Sequence, residues 1–201
     1  RTNMALYEAQ KMLKEAQEED DKTGLSRCYN IMSQIYTVKR LDSMAFEWQL
    51  KEIELTEKYD LENYNISQTY SQISSYYINT NQPEKALEAL KKADATAYSP
   101  TQKISVQLEY VNYYSKFGDM QAAEKILNEC KTAFDQDKRL WSIKKRLYNI
   151  EYVYYLQSKQ YPKALEAAKK QEAEELNLSE SIQNSVHYLT KGKIYSNMGN
   201  M

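Results

Sequence analysis

Glycine and proline are nearly missing from this chain of 201 residues, which holds 4 and 3 of them. Strand-and-turn architectures depend on those residues at their turns, so an all-β fold is not expected. There are two cysteines, Cys28 and Cys130. They are too few and too far apart for a disulfide framework, and both read as buried small residues. The one histidine is His187. A Ser-His-Asp or Cys-His arrangement would have to use it, yet it lies between Val186 and Tyr188, far in sequence from both cysteines, and reads as an ordinary helix residue. No run of 18 apolar residues occurs, so no segment is expected to span a membrane. An excess of one charge is also missing: 27 Lys and Arg face 28 Asp and Glu. Without a basic footprint for phosphate backbones, direct nucleic-acid binding is not expected. Gly-rich phosphate loops, Cys-x-x-Cys pairs and Glu-x-x-His motifs are missing too. No catalytic, cofactor or metal residue is therefore expected. The acidic run Glu18-Glu19-Asp20-Asp21 lacks the alternating ligands of a calcium loop and reads as a solvated linker.

What is present is helix-forming and aromatic. Hydrophobic residues make up 42% of the chain, and Tyr occurs 19 times against 3 Phe. A tyrosine can bury its ring and keep its hydroxyl wet, which suits thin layers where few positions are fully enclosed. Five tyrosines recur at nearly fixed distance: Tyr36, Tyr77, Tyr114, Tyr155 and Tyr195, separated by 41, 37, 41 and 40 residues. Nine residues after each of the first four stands an alanine: Ala45, Ala86, Ala123 and Ala164. A period of about 40 residues means one supersecondary unit repeated.

Each unit reads as two amphipathic helices. Ala86, Leu87, Leu90 and Ala93 form one stripe behind Pro83, which sits in a first turn where its missing N–H costs nothing. Asp119, after Gly118, can cap a helix carrying Ala122, Ala123, Ile126, Leu127 and Cys130. Ser99-Pro100 reads as an N-cap followed by proline, and Pro162 opens the helix of Ala164, Leu165 and Ala168. The layout is a lone helix over 2–19, helix pairs over 25–59, 62–97, 100–135 and 138–175, and the start of a further unit over 179–201. The sequence reads as one uninterrupted array over 1–201. It begins at Arg1, and at each end half of a pair is missing. It is therefore expected to be a piece of a longer protein whose cut ends could drive end-to-end self-association.

This pattern resembles the tetratricopeptide repeat: an aromatic on the first helix, a Gly-Asp-like turn, then alanine and further apolar positions on the second. Tyr114, Gly118-Asp119, Ala123, Leu127 and Cys130 match best. The usual period is 34 residues, and this one is longer. Ser33, Ser74, Val111 and Tyr152 replace the first-helix glycine, and Gln49 and Glu52 stand where apolar residues are expected.

The resemblance implies an all-α, right-handed superhelical solenoid of antiparallel helix pairs, whose first helices line a concave groove for a protein or peptide. Mapped by phase, that inner face carries Arg27, Asn30 and Gln34, then Gln68, Ser71 and Ser75. Further along it carries Ser105, Leu108 and Asn112, and finally Arg146, Asn149 and Val153. Two arginines among mainly Asn, Gln and Ser suit a peptide backbone better than an acidic tail. The second members of the doublets Tyr76-Tyr77, Tyr113-Tyr114 and Tyr154-Tyr155 are expected in the core, and Trp48 and Trp141, off the period, as packing residues or contact anchors. The resemblance extends to repeat regions of bacterial membrane-anchored sensors. It implies a non-enzymatic interaction module, the input or scaffolding region of a signalling protein outside the cytoplasm. The alternatives are a stand-alone scaffold or adaptor, or an array regulating an enzyme encoded elsewhere in the chain.

Overall fold

The computed structural model describes residues 2–175 together with Gly192, Ile194, Ser196 and Met198. Those four are helical and fall in the last helix expected from the sequence; His187 and Tyr195 lie outside the described residues. The described elements are all helical. They are α1 (Thr2–Glu18), α2 (Lys22–Val38), α3 (Asp42–Tyr59), α4 (Ile66–Asn79), α5 (Pro83–Thr96), α6 (Pro100–Phe117), α7 (Met120–Gln136), a 3-10 segment (Lys138–Ile143), α8 (Lys144–Gln157) and α9 (Tyr161–Glu175). They fall into two compact units, Arg1–Thr96 and Ala97–Met201, where the sequence reads as one array.

The turns explain the tyrosine period. Each periodic tyrosine in the described range lies in the last turn of a first helix, and its carbonyl closes the helix. Tyr36 accepts from the Leu41 N–H, Tyr77 from Gln82 and Tyr155 from Gln160, while Tyr114 accepts from Gly118. The residue four places after each tyrosine is left-handed: Arg40 (φ 59°), Asn81 (φ 59°), Gly118 (φ 99°) and Lys159 (φ 59°). These are the bonds of a Schellman or αL stop. Only Gly118 takes the left-handed backbone without a Cβ penalty.

The periodic alanines are the crossing points. Ala86, Ala123 and Ala164 are completely inaccessible and Ala45 nearly so. A methyl there lets helix axes approach to about 8–9 Å. Ser74, in the place of the expected glycine, uses that closeness: its hydroxyl donates to the Ala86 carbonyl at 3.0 Å. In the first unit α2 packs on α1 and α3, and α4 on α3 and α5. Met32, Ile35 and Tyr36 meet Ala9 and Ala45 in its core, with Trp48 packed half-buried beside them. In the second unit α6 packs on α7 and α8, and α8 on α9. Leu108, Val111, Ala123, Leu127, Cys130, Leu147, Ile150 and Tyr154 form its core.

The capping signals act as the sequence suggests. Ser99 makes a full capping box with Gln102, and Asp119 Oδ1 accepts from the Ala122 N–H. Three expectations need correction. Asp21 caps α2 by accepting from the Gly24 N–H, so the pair expected over 25–59 begins at Lys22. The helix pair expected over 138–175 opens as a 3-10 turn, because Asp137 holds both the backbone N–H and the guanidinium of Arg139. The helix expected from residue 62 starts at Ile66: Asp60 (φ 50°) ends α3, and Asn63 uses its side chain rather than a helical bond to hold the Asn65 N–H.

The tyrosine doublets also differ from expectation. Tyr77, Tyr114 and Tyr155 are half-buried at the core's margin, and in the last doublet it is the first member, Tyr154, that is buried. Trp141 is exposed, with Lys138 and Lys144 over its ring.

Candidate functional site

The late start of α4 leaves the segment Leu61–Asn65 free to wall a recess of about 600 Å³ in the first unit. Its other wall is α2, through Arg27, Asn30 and Ile31, and its floor is Glu52 of α3. Arg27 is exposed and Asn30 half-buried. Exposed Gln34 continues the same polar stripe by donating to Asn30 Oδ1 at 2.6 Å.

Glu52 faces inward because α3 must bury that side against α2 and α4. It is 1% exposed. Its carboxylate accepts from Asn30 Nδ2 at 3.3 and 3.1 Å, from Asn63 Nδ2 at 2.8 Å and from Thr69 Oγ1 at 3.1 Å. Every one of these donors is neutral, and among the described residues no cation pairs with it. Burial accordingly pushes the Glu52 carboxyl above the usual glutamate range, against the pull of Asn63, Asn30 and Thr69. The charged groups lining the recess are one cation, Arg27, and three carboxylates, Glu52, Asp60 and Glu62.

The rest of the expected inner face divides. On α4, Gln68 is exposed and Ser75 half-buried, and Ser75 lines a second recess of about 520 Å³ with Gln49 and Gln72. Ser71 is instead buried and donates to the Ser67 carbonyl at 3.0 Å. On α6, Leu108 is completely inaccessible and belongs to the core. Ser71 and Leu108 are thus corrected from groove to interior: both helices are enclosed on more than one side, so a position outside the main apolar stripe is still covered. Ser105 and Val153 are half-buried and Asn149 exposed.

Asn112 and Arg146 are brought together by a residue outside the expected face. Arg146 Nη2 donates to Glu109 Oε2 at 2.8 Å and Asn112 Nδ2 to Glu109 Oε1 at 2.8 Å, with Glu109 3% exposed. Glu151, 5% exposed, pairs with Lys131 at 2.9 Å. Burial works against the Lys131 charge, but the Glu151 bond and charge and Tyr155 outweigh it and raise its pKa. Glu151 itself lines a smaller recess of about 310 Å³, where Lys131, Lys144 and Lys170 face it and Asp135.

Repeat phase overlooks Glu52, Glu109 and Glu151, since it treats charged residues as surface. The signal for Glu52 was its place at a core position. The cysteines are buried and free as expected. Burial, aided by the Glu129 charge, pushes the Cys130 thiol up to about 12, which leaves it unreactive. Among the described residues no group of His, Cys, Asp and Glu is arranged to hold a metal ion, and no helix is long and apolar enough to cross a membrane.

Among the solved structures that share this fold are two of similar likeness. One is BtubC (BKLC) from P. vanneervenii, at TM-score 0.59 and 14% identity, covering 99% of this chain and 85% of that one. The other is PilW, a widely conserved type IV pilus biogenesis factor, at TM-score 0.59 and 16% identity, covering 99% and 86%. At these identities the likeness is one of fold, and it agrees with the all-α, repeat-type solenoid expected from the sequence. No curated protein matches the sequence. The family model for 26S proteasome subunit RPN7 matches residues 37–174, well over half of the sequence, from the end of α2 to α9. The chain therefore belongs to the RPN7 family of 26S proteasome subunits, as a member built from helical repeats.

Proposed function

We propose that this chain is a protein-docking module without catalytic activity, and that the recess of the first unit holds an extended segment of a partner. The observation that carries the reading is the recess itself: about 600 Å³, walled by Asn30, Asn63 and Asn65 and continued by Gln34. Amides present both donors and acceptors, so such a wall can bind a peptide backbone whatever its side chains. Stacked helix pairs offer long binding surfaces of this kind. Membership in a family described by a subunit of a large assembly, and a fold shared with a pilus biogenesis factor, support a role among other proteins.

For the setting, we propose the input or scaffolding region of a larger bacterial signalling protein. The support is the resemblance of the long, Tyr-rich repeats to sensor repeat regions. A stand-alone scaffold is the alternative. A parent gene encoding an apolar run of about 20 residues and an output domain downstream would favour the first, and a stop codon after one closing helix the second.

The docking role is tested with the full chain and a fully degenerate pool of acetylated, amidated seven-residue peptides, followed by amide NMR. Shifts at the side-chain amides of Asn30, Asn63 and Asn65 are expected. An unchanged spectrum, or shifts confined to other surfaces, would remove this recess as the docking site.

A further inference from the structure

We infer that the recess of the first unit is a socket for a cationic side chain, lysine or arginine, of the docked partner, with Glu52 as its counter-ion. This deepens the docking role proposed above and rests on it. A carboxylate with 1% exposure is normally paired with a cation or protonated, and the second unit pairs Glu109 with Arg146 and Glu151 with Lys131. Glu52 alone of the three has only neutral donors, and of the three it is the one that floors a recess of about 600 Å³.

The surroundings favour a positive ligand. Asp60 and Glu62 add two carboxylates to the lining against the single Arg27. Like charges at an interface repel the wrong partner and attract the right one, so the lining disfavours an acidic segment. A metal ion is not the occupant these residues suit, because the acidic groups do not converge into a metal-holding cluster.

The loop supplies the means of entry. Asn63 donates to Glu52 Oε1 from the segment between α3 and α4, outside any helix. Asn30 and Thr69 hold the carboxylate from α2 and α4. An incoming ammonium or guanidinium takes the Oε1 bond in place of Asn63, while the helical donors keep the carboxylate aimed. A neutral donor is exchanged for a charged one, which forms the stronger hydrogen bond.

The test uses the full chain with four pools of acetylated, amidated seven-residue peptides, degenerate except at the centre. The central residue is Arg, Lys, citrulline or Glu; citrulline has the shape of arginine without its charge. The side-chain amides of Asn30 and Asn63 are followed by NMR in the wild type and in Glu52→Gln and Glu62→Gln. The Arg or Lys pool is expected to bind at least about tenfold more tightly than the citrulline pool, with the largest shift at Asn63. That preference should vanish in Glu52→Gln and weaken only slightly in Glu62→Gln. Circular dichroism of both variants separates a lost charge from a lost fold, and Glu62, being exposed, provides a folded comparison. Equal binding of the Arg, Lys and citrulline pools would overturn the cation socket and leave the docking role standing. A cation preference that survives Glu52→Gln would also overturn it. Failure of every pool to bind would remove both.

Discussion

Glu52 in the first unit and Glu109 and Glu151 in the second are almost equally hidden, at 1, 3 and 5% exposure, but their partners differ. The second unit sets Arg146 on Glu109 and Lys131 on Glu151 from neighbouring helices of the same stack. The first unit surrounds Glu52 with two amides and a hydroxyl. Hydrogen bonds from neutral groups satisfy the lone pairs of a carboxylate but leave its charge uncompensated. One fold thus uses a buried glutamate in two ways: paired with a cation from a neighbouring helix, and held by neutral donors alone at a recess.

Breaking a closed pair should have the largest effect. Arg146→Met keeps most of the packing volume and removes the guanidinium that donates to the buried Glu109 carboxylate. A loss of about 2–4 kcal/mol is expected by urea unfolding, toward the lower end because Arg146 is partly exposed. A loss below about 0.5 kcal/mol would place that pair with ordinary surface ion pairs and blur the contrast.

The crossings, by comparison, should behave alike in both units. Ala86→Leu and Ala123→Leu each overpack a completely inaccessible site and should cost about 1–3 kcal/mol. Unchanged melting of both variants would undo the repeat phase on which the layout rests. The turns form a smaller pair. Gly118→Ala forces a Cβ into a left-handed backbone and should cost about 1 kcal/mol. Nothing lies within 4 Å of that site, so the cost is conformational rather than steric. Lys159→Gly relieves the same strain and should raise the melting temperature slightly.

Glu52→Gln should have the smallest effect of the four and the most distinctive pH dependence. The native fold raises the Glu52 pKa, so the folded protein holds this proton more tightly than the unfolded chain does. Stability from this group is therefore complete below the ordinary glutamate pKa and is lost as pH rises through the raised value. As pH rises above the ordinary glutamate range the wild type should lose stability relative to Glu52→Gln, as read by parallel thermal melts. A constant difference would mean that burial does not disfavour the Glu52 charge.

Much of this architecture was legible in the sequence because repetition multiplies weak signals. Tyr36, Tyr77, Tyr114 and Tyr155 mark the last turns of first helices, and the alanine nine residues later marks each crossing. Ser99, Pro100 and Asp119 gave their helix starts directly. The 3-10 turn after Asp137 and the loop before Ile66 were not legible, since both arise when a side chain takes over a backbone bond. The recess was half legible: phase identified Arg27 and Asn30, but its chemistry lies in Glu52 and Asn63, which are not first-helix positions. Ser71 and Leu108 show the opposite error, where phase assigned an inner face and packing enclosed the residue.

The most direct measurement is the carboxyl 13C shift of Glu52, followed through a pH titration of the full chain alone and with the arginine-centred peptide pool. A buried charge awaiting a cation predicts a transition above the ordinary glutamate range in the free protein, moved downward by the pool. A transition in the ordinary range that the pool does not move would contradict it.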